Sequence, residues 1–309
     1  MKLAPVVLFV YNRLNHTKLI ISALKKNILA KKTNLYIFSD GYKNSEDKIK
    51  VLSVRNFIKK LNGFNKIIIN YNKKNYGLSN SIIKGVSYVL KKHKKAIILE
   101  DDILVSKFFL NYMNDSLNMY ANNEKVSSIS GYVYPIVFKK KFNTFFIKGA
   151  DCWGWGTWLR SWKNFEKDGN KLLNIIKSRR CEYDLNLSGS IDLLKMLKDQ
   201  LQKKNDSWAV RWIVSNFLKE NYVLYPVKSF VQNIGNDGSG RHNLESDNYK
   251  VRLVNNYKTY NKIQIQEDIY AKKLFVKFFY SFHKYNKLWI LVKIFKKFQY
   301  FLKFRLKII

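Results

Sequence analysis

Four short apolar runs punctuate the first third of the chain: VVLFVY from Val6, NLYIFS from Asn34, KIIINY from Lys66 and AIILE from Ala96. Their starts are separated by 28, 32 and 30 residues, the period of repeated strand and helix units. Apolar residues fill successive positions instead of alternating, which predicts strands buried on both faces of a parallel sheet. Between the runs, apolar positions return at helical spacing. Leu19, Ile20, Ala23 and Leu24 form the first set; Val54, Phe57, Ile58 and Leu61 the second; Ile82, Ile83, Val86, Val89 and Leu90 the third. Each set covers one helical face. Residues 1 to about 135 are therefore expected to form a Rossmann-like α/β half, with a mostly parallel central sheet flanked by helices.

Open sheets of this class bind ligands outside the carboxyl ends of their strands. The polar residues expected there are Arg13 after the first strand, Asp40 after the second, Asn75 and Gly77 after the third, and Glu100, Asp101 and Asp102 after the fourth. Three consecutive acids closing an apolar run suit a divalent cation with oxygen ligands, and such a cation could hold a diphosphate. A solvated acidic turn would read the same way. No G-x-G-x-x-G follows the first strand and no P-loop occurs, which disfavours a dinucleotide site of the usual kind.

The acids stand out because the chain carries 57 Lys and Arg against 22 Asp and Glu, a net charge of +35. A lysine-, asparagine- and isoleucine-rich composition accounts for part of this excess; the rest implies attraction to anions. Hydrophobic residues make up 47% of the 309, ample for a core. Two cysteines, Cys152 and Cys181, have neither metal-site spacing nor a disulfide framework, which fits a reducing compartment. Pro5 interrupts the apolar opening, so it reads as a strand and not as a secretory signal. No stretch has the length and purity of a membrane-spanning helix.

From about 136 to 245 the character changes, with six of the seven tryptophans between Trp153 and Trp212. Tryptophan faces in clefts stack on sugars, and buried tryptophans simply fill cores; both readings stay open for Trp153, Trp155 and Trp208. The last 41 residues, from Ile269, hold eleven Lys and Arg, thirteen aromatics and no acid. Such a basic amphipathic helical extension, taken as 246–309, could lie on an anionic membrane or pack on the domain.

In order and spacing, PVVLFVYNR, FSDG, NYGLSNSIIKG, ILEDD, CWGWGTW, DSWAVRW and YPVKSFVQNIGNDGSGRH resemble the GT-A-fold glycosyltransferases. The resemblance covers residues 1–245 and is to bacterial surface-polysaccharide transferases and, more distantly, to the eukaryotic N-acetylglucosaminyltransferase that starts hybrid N-glycans. It implies a nucleotide-binding half, 1–135, and an acceptor-binding half, 136–245. It implies Mn2+ or Mg2+ on Asp102, ribose or metal-bound water on Glu100 and Asp101, base recognition by Asp40, and Arg13, Asn75 and Gly77 near the nucleotide. Gly238 and Ser239 would close over the diphosphate, and Asp206 would be the catalytic base. His242 would reach phosphate or metal, although Arg241-His242-Asn243 departs from the family's usual continuation and a surface histidine reads equally well.

The chemistry asks for these residue types independently. A departing nucleoside diphosphate gains negative charge, and an attacking hydroxyl must lose a proton to one base. Asp206 is the candidate base outside the sheet edge, and an N-cap for the following helix is its other reading. Taken with the resemblance, which implies UDP as the donor nucleotide, the expectation is an inverting, metal-dependent enzyme that moves a nucleotide-linked sugar to a lipid-linked bacterial glycan at the cytoplasmic face of the membrane. A nucleotidyltransferase and a basic nucleic-acid-binding protein are the alternatives. The former lacks its glycine-rich N-terminal loop, and in the latter the acids would repel phosphates.

Overall fold

The computed structural model describes residues 2–238 and 247–282. Strand β1 (Val6–Val10) leads to helix α1 (Leu14–Lys25) and, through a short 3-10 turn, to β2 (Asn34–Ser39). Helix α2 (Ser45–Lys59), β3 (Lys66–Tyr71), α3 (Leu78–His93) and β4 (Lys95–Glu100) complete the repeat read from the sequence. Next come β5 (Ile103–Val105), α4 (Phe109–Met119), β6 (Val126–Ser130), β7 (Thr144–Lys148) and β8 (Trp155–Trp158). Helices α5 (Leu159–Trp162), α6 (Gly169–Arg179), α7 (Glu182–Leu185), α8 (Leu193–Leu201) and α9 (Trp208–Leu218) follow. The described chain ends with β9 (Tyr222–Pro226), β10 (Val231–Asn233) and α10 (Ile269–Ser281).

Eight strands form one sheet in the order β3-β2-β1-β4-β8-β6-β9-β7, while β5 and β10 pair separately. The first four are mutually parallel, as the apolar runs predict. Beyond β4 the sheet becomes mixed: β8 lies antiparallel between β4 and β6, β9 runs parallel to β6, and β7 closes the sheet antiparallel to β9. The mixed α/β class with a mostly parallel sheet agrees with expectation.

Strand alternation divides β1 between two cores. Val6, Leu8 and Val10 pack with Ile20, Ile21 and Leu24 of α1, Val54 and Ile58 of α2, and residues of α4. Val7 and Phe9 face the opposite side, against Ile82, Val86 and Val89 of α3 and the tryptophans of α9. Helices therefore cover both faces, which is why strands with no polar alternation are stable here.

Residues 247–268 depart from the expected helical extension. Apart from a bridge between Glu267 and Phe146 they form no regular helix or strand. They run over the body as a strap, with Tyr257, Tyr260, Ile263 and Ile265 against the main core. Val254 N donates to Ser229 O at 2.9 Å, Ile263 N to Tyr120 Oη at 3.1 Å, and Tyr257 Oη to Asp115 Oδ2 at 2.9 Å. Helix α10 then buries Ala271 and Phe275 against Phe145, Ile147 and Tyr225. The start of the basic tail is thus packed on the domain, and residues 283–309 lie outside the described residues. Tyr280 Oη donates to Ser188 O at 2.6 Å, fixing the end of α10 to the α7–α8 connection. Tyr280→Phe is expected to lower stability by about 1 kcal/mol in denaturant unfolding, the net worth of one such bond. Among the described residues, no helix is long and apolar enough to cross a membrane.

Candidate active site

The carboxyl ends of β1 and β4 bring Arg13 to the acids. Arg13 precedes α1, and its Nη2 lies 2.5 Å from Asp101 Oδ1 and 2.9 Å from Asp102 Oδ2. Burial opposes the guanidinium charge, but Asp101 and Asp102 outweigh it and hold Arg13 firmly protonated. Asp101 also accepts from Tyr11 N at 3.4 Å. Asp102 is backed by the segment after β10: Ile234 N donates to Asp102 O at 2.8 Å. A Cβ at Gly235 would lie 2.5 Å from Asp102 Oδ2, so only glycine lets this backbone pass.

One guanidinium faces three carboxylates. Burial pushes Glu100 up to about 8, with Asp102 and Asp101 adding to the shift and Arg13 opposing it. Burial and Asp102 raise Asp101 to about 6 against the pull of Arg13. Burial and mutual repulsion thus oppose full ionisation of these carboxyls, a penalty that a further cation would relieve. Its donors are hard oxygens, as Mg2+ and Mn2+ prefer. Among the described residues no ready-made group of three or more ligands surrounds one point. One or two carboxylates with water and phosphate oxygens suffice for such an ion, so the residues fit it.

Asp40, expected at base recognition, meets donors of its own protein. Its carboxylate accepts from Gly41 N, Asn72 Nδ2 and Tyr76 N at 3.0 Å and from Gly77 N at 3.0 Å, and the residue is buried. A carboxylate has about four acceptor sites, and the protein's own donors take them. Asn75 is likewise engaged, its Nδ2 donating to Gly41 O at 2.7 Å. Gly77 caps α3 at φ +78°, a conformation that disfavours a side chain. Asp40, Asn75 and Gly77 thus lock the loop between β3 and α3. Asp40→Asn turns an amide N–H toward backbone N–H donors and is expected to cost about 2 kcal/mol. Denaturant unfolding measures this, and a cost near zero would return Asp40 to ligand recognition.

Asp206, just before α9, reaches the same loop. It is exposed, and its Oδ2 lies 3.4 Å from Ser79 N in the first turn of α3. The alternative reading as N-cap of α9 is excluded, because Ser207 holds that position and its side chain accepts from Val210 N. Arg211, one turn into α9, donates to Ser79 Oγ at 2.8 Å.

Two of the three expected acceptor tryptophans are core. Trp155 is 0% exposed and Trp208 2%, their ring centroids 5.5 Å apart, in a cluster with Trp162 and Trp212. Their flat faces pack on each other, leaving none for a sugar. Trp153 is half-buried, 4.7 Å from the Tyr132 ring and 5.6 Å from the Tyr249 ring. Buried Asp151 accepts from Trp153 N at 3.0 Å and orients this loop. Burial raises the Asp151 carboxyl above its usual range, and burial with nearby Asp151, Glu100 and Asp102 does the same to the Cys152 thiol.

Gly238 adopts φ +80° with open space where a Cβ would stand. Ser239 and His242 lie outside the described residues. His16 was not anticipated as a site residue: its Nε2 is 3.2 Å from Asp237 Oδ2, linking α1 to the segment beside Asp102. The three-residue step from Arg13 to His16 placed it on the same side of the first turn of α1, the one signal that could have found it.

No family model and no curated protein matches the chain. Among solved structures, similarity is low. The mannosyltransferase PcManGT from Pyrobaculum calidifontis, in complex with GDP-Man and Mn2+, aligns at 12% identity and TM-score 0.32, over 42% of this chain and 35% of its own. TarS from S. aureus aligns at 16% and 0.30, over 48% of this chain and 25% of its own. An apo UDP-glucose pyrophosphorylase aligns at 11% and 0.32, over 75% and 93%. The chain thus spans about a third of the mannosyltransferase and a quarter of TarS.

Proposed function

We propose that this chain is an inverting, metal-dependent glycosyltransferase that moves a sugar from a UDP-linked donor to a hydroxyl of a lipid-linked bacterial surface glycan. The observation that carries the reading is the carboxyl end of β4, where Asp101 and Asp102 meet Arg13 beside Glu100 and repel its carboxylate more than one guanidinium offsets. The ordered motifs from PVVLFVYNR to YPVKSFVQNIGNDGSGRH support it from the sequence. Mn2+ or Mg2+ held by Asp102, with Glu100 or Asp101 through water, would neutralise charge on the departing diphosphate.

The chain's own groups divide the remaining work. Arg13 holds Asp101 and Asp102 in one orientation. Asp206 takes the proton of the acceptor hydroxyl on a carboxylate oxygen, and exposure keeps that oxygen accessible. Trp153 offers its uncovered surface to the acceptor, and the segment through Gly238 borders the donor beside Asp102. The net charge of +35 favours work at the anionic cytoplasmic face of the membrane, where a lipid-linked acceptor is confined.

A thermal-shift panel of nucleotide sugars, each with and without manganese, tests the reading. A ligand that binds only the folded state raises its midpoint, so a rise requiring both components is expected. A panel without any metal-dependent rise rejects it.

A further inference from the structure

A groove of about 540 Å³ runs between α1 and α2, outside the candidate active site. Its rim carries Lys18, Lys25, Lys26 and Lys60, all exposed, and its floor is apolar, from Ile21, Phe57 and Leu61. Among the described residues, no acid lines it. The acids of α2, Glu46 and Asp47, sit in its first turn and are engaged elsewhere, Glu46 with Lys50 and Asp47 with Tyr11 and Asn12. Lys60 stands fourteen residues beyond Glu46, about 20 Å along a helix.

The rim is partly ordered. Lys25 Nζ donates to Asn62 Oδ1 at 2.8 Å, and the lysine stem crosses Gly63, drawing one ammonium over the mouth. Beside the groove, Leu19 on α1 is 53% exposed and Ile28, just beyond it, 64%. From Leu14 to Thr33 the chain holds five lysines and no acid. Helical geometry sets Leu19 only about 20° from Lys26, so an apolar side chain and an ammonium point outward together.

The geometry points to this face of α1 and α2 as a docking surface for an anionic phospholipid membrane, with a lipid phosphate held by the lysine rim and Leu19 and Ile28 entering the interface. Charge complementarity selects an anionic occupant. The apolar floor and protruding aliphatic residues favour lipid over nucleic acid, which stacks its bases on exposed aromatic rings. This contact belongs to the body of the fold and draws on no residue beyond 282. It also stands apart from the proposed sugar transfer, because vesicle binding requires no donor.

Co-sedimentation of the full chain with vesicles of phosphatidylcholine, alone or mixed with phosphatidylglycerol, tests it. Lys18, Lys26 and Lys60 are changed together to Gln. A second triple variant, with Gln replacing Lys91, Lys92 and Lys198, removes equal charge from exposed positions elsewhere. The groove variant is expected to lose affinity for the anionic vesicles by on the order of 10-fold or more, and the control by less than about twofold. Leu19→Ser should lower the part of binding that survives high salt. Melting curves confirm folding of each variant. Equal losses in the two triples would reduce the effect to diffuse charge and overturn the proposal. So would retained vesicle binding by the groove variant, including a result in which it loses only affinity for a random oligonucleotide.

Discussion

Asp102→Asn is expected to abolish the manganese-dependent rise in melting temperature produced by a nucleotide-sugar donor and to lower transfer by on the order of 10²-fold or more. The same change should leave the unliganded protein folding as well as before. Asp102 contributes to a cluster in which burial and mutual repulsion push Glu100 up to about 8. Removing one negative charge relieves that repulsion, while Arg13 keeps Asp101 at 2.5 Å. Binding and stability are thus predicted to move independently, as at sites where charge is held for a ligand at some cost to the empty protein. Calorimetry with UDP and manganese, beside a melting curve without either, reads both quantities. Donor affinity equal to wild type would take Asp102 off the cation.

Asp206→Asn is expected to reduce transfer by on the order of 10²-fold or more with donor affinity nearly unchanged, because a general base acts on the acceptor only as the hydroxyl attacks. The geometry sharpens this substitution. Ser207 caps α9, so Asp206 owes nothing to that helix. Its contact with Ser79 N is long, 3.4 Å, and asparagine's oxygen can still accept there. Were Asp206 purely structural, the variant would therefore turn over at almost the wild-type rate. Initial rates and donor calorimetry on one preparation separate the cases. If rates hold, the base is elsewhere, and buried Asp151 becomes the next residue to replace.

The N-terminal half was legible because its signal is burial. VVLFV, NLYIFS, KIIINY and AIILE had to be enclosed on both faces, and a repeated parallel strand with a covering helix is the arrangement that does so. The antiparallel insertion of β8 was not legible. WGTW is short, and nothing in its residues names Lys95–Ile98 and Ser128–Ser130 as neighbours.

At the site, sequence placed Arg13 and the acids on one edge because strand ends must gather there. It could not tell a polar residue that meets a ligand from one that meets backbone. Asp40 satisfies four donors of its own protein, and a free carboxylate at the same strand end would look identical in sequence. The tryptophans failed for a related reason. Amphipathic spacing locates an indole on a face, but the ring's neighbours come from other elements: Trp155 from β8 meets Trp208 and Trp212 from α9.

The sheet order also sets a timetable for synthesis. A nascent chain delivered only through residue 135 holds β1 to β6, but the outer edge of β4 lacks its partner until Trp155–Trp158 emerges. The segment that backs Asp102 arrives later still, with β10 and Gly235. During that interval the growing half presents an apolar strand edge able to pair with another chain. Lower soluble yield when elongation is slowed between residues 135 and 158 is the result expected from this order.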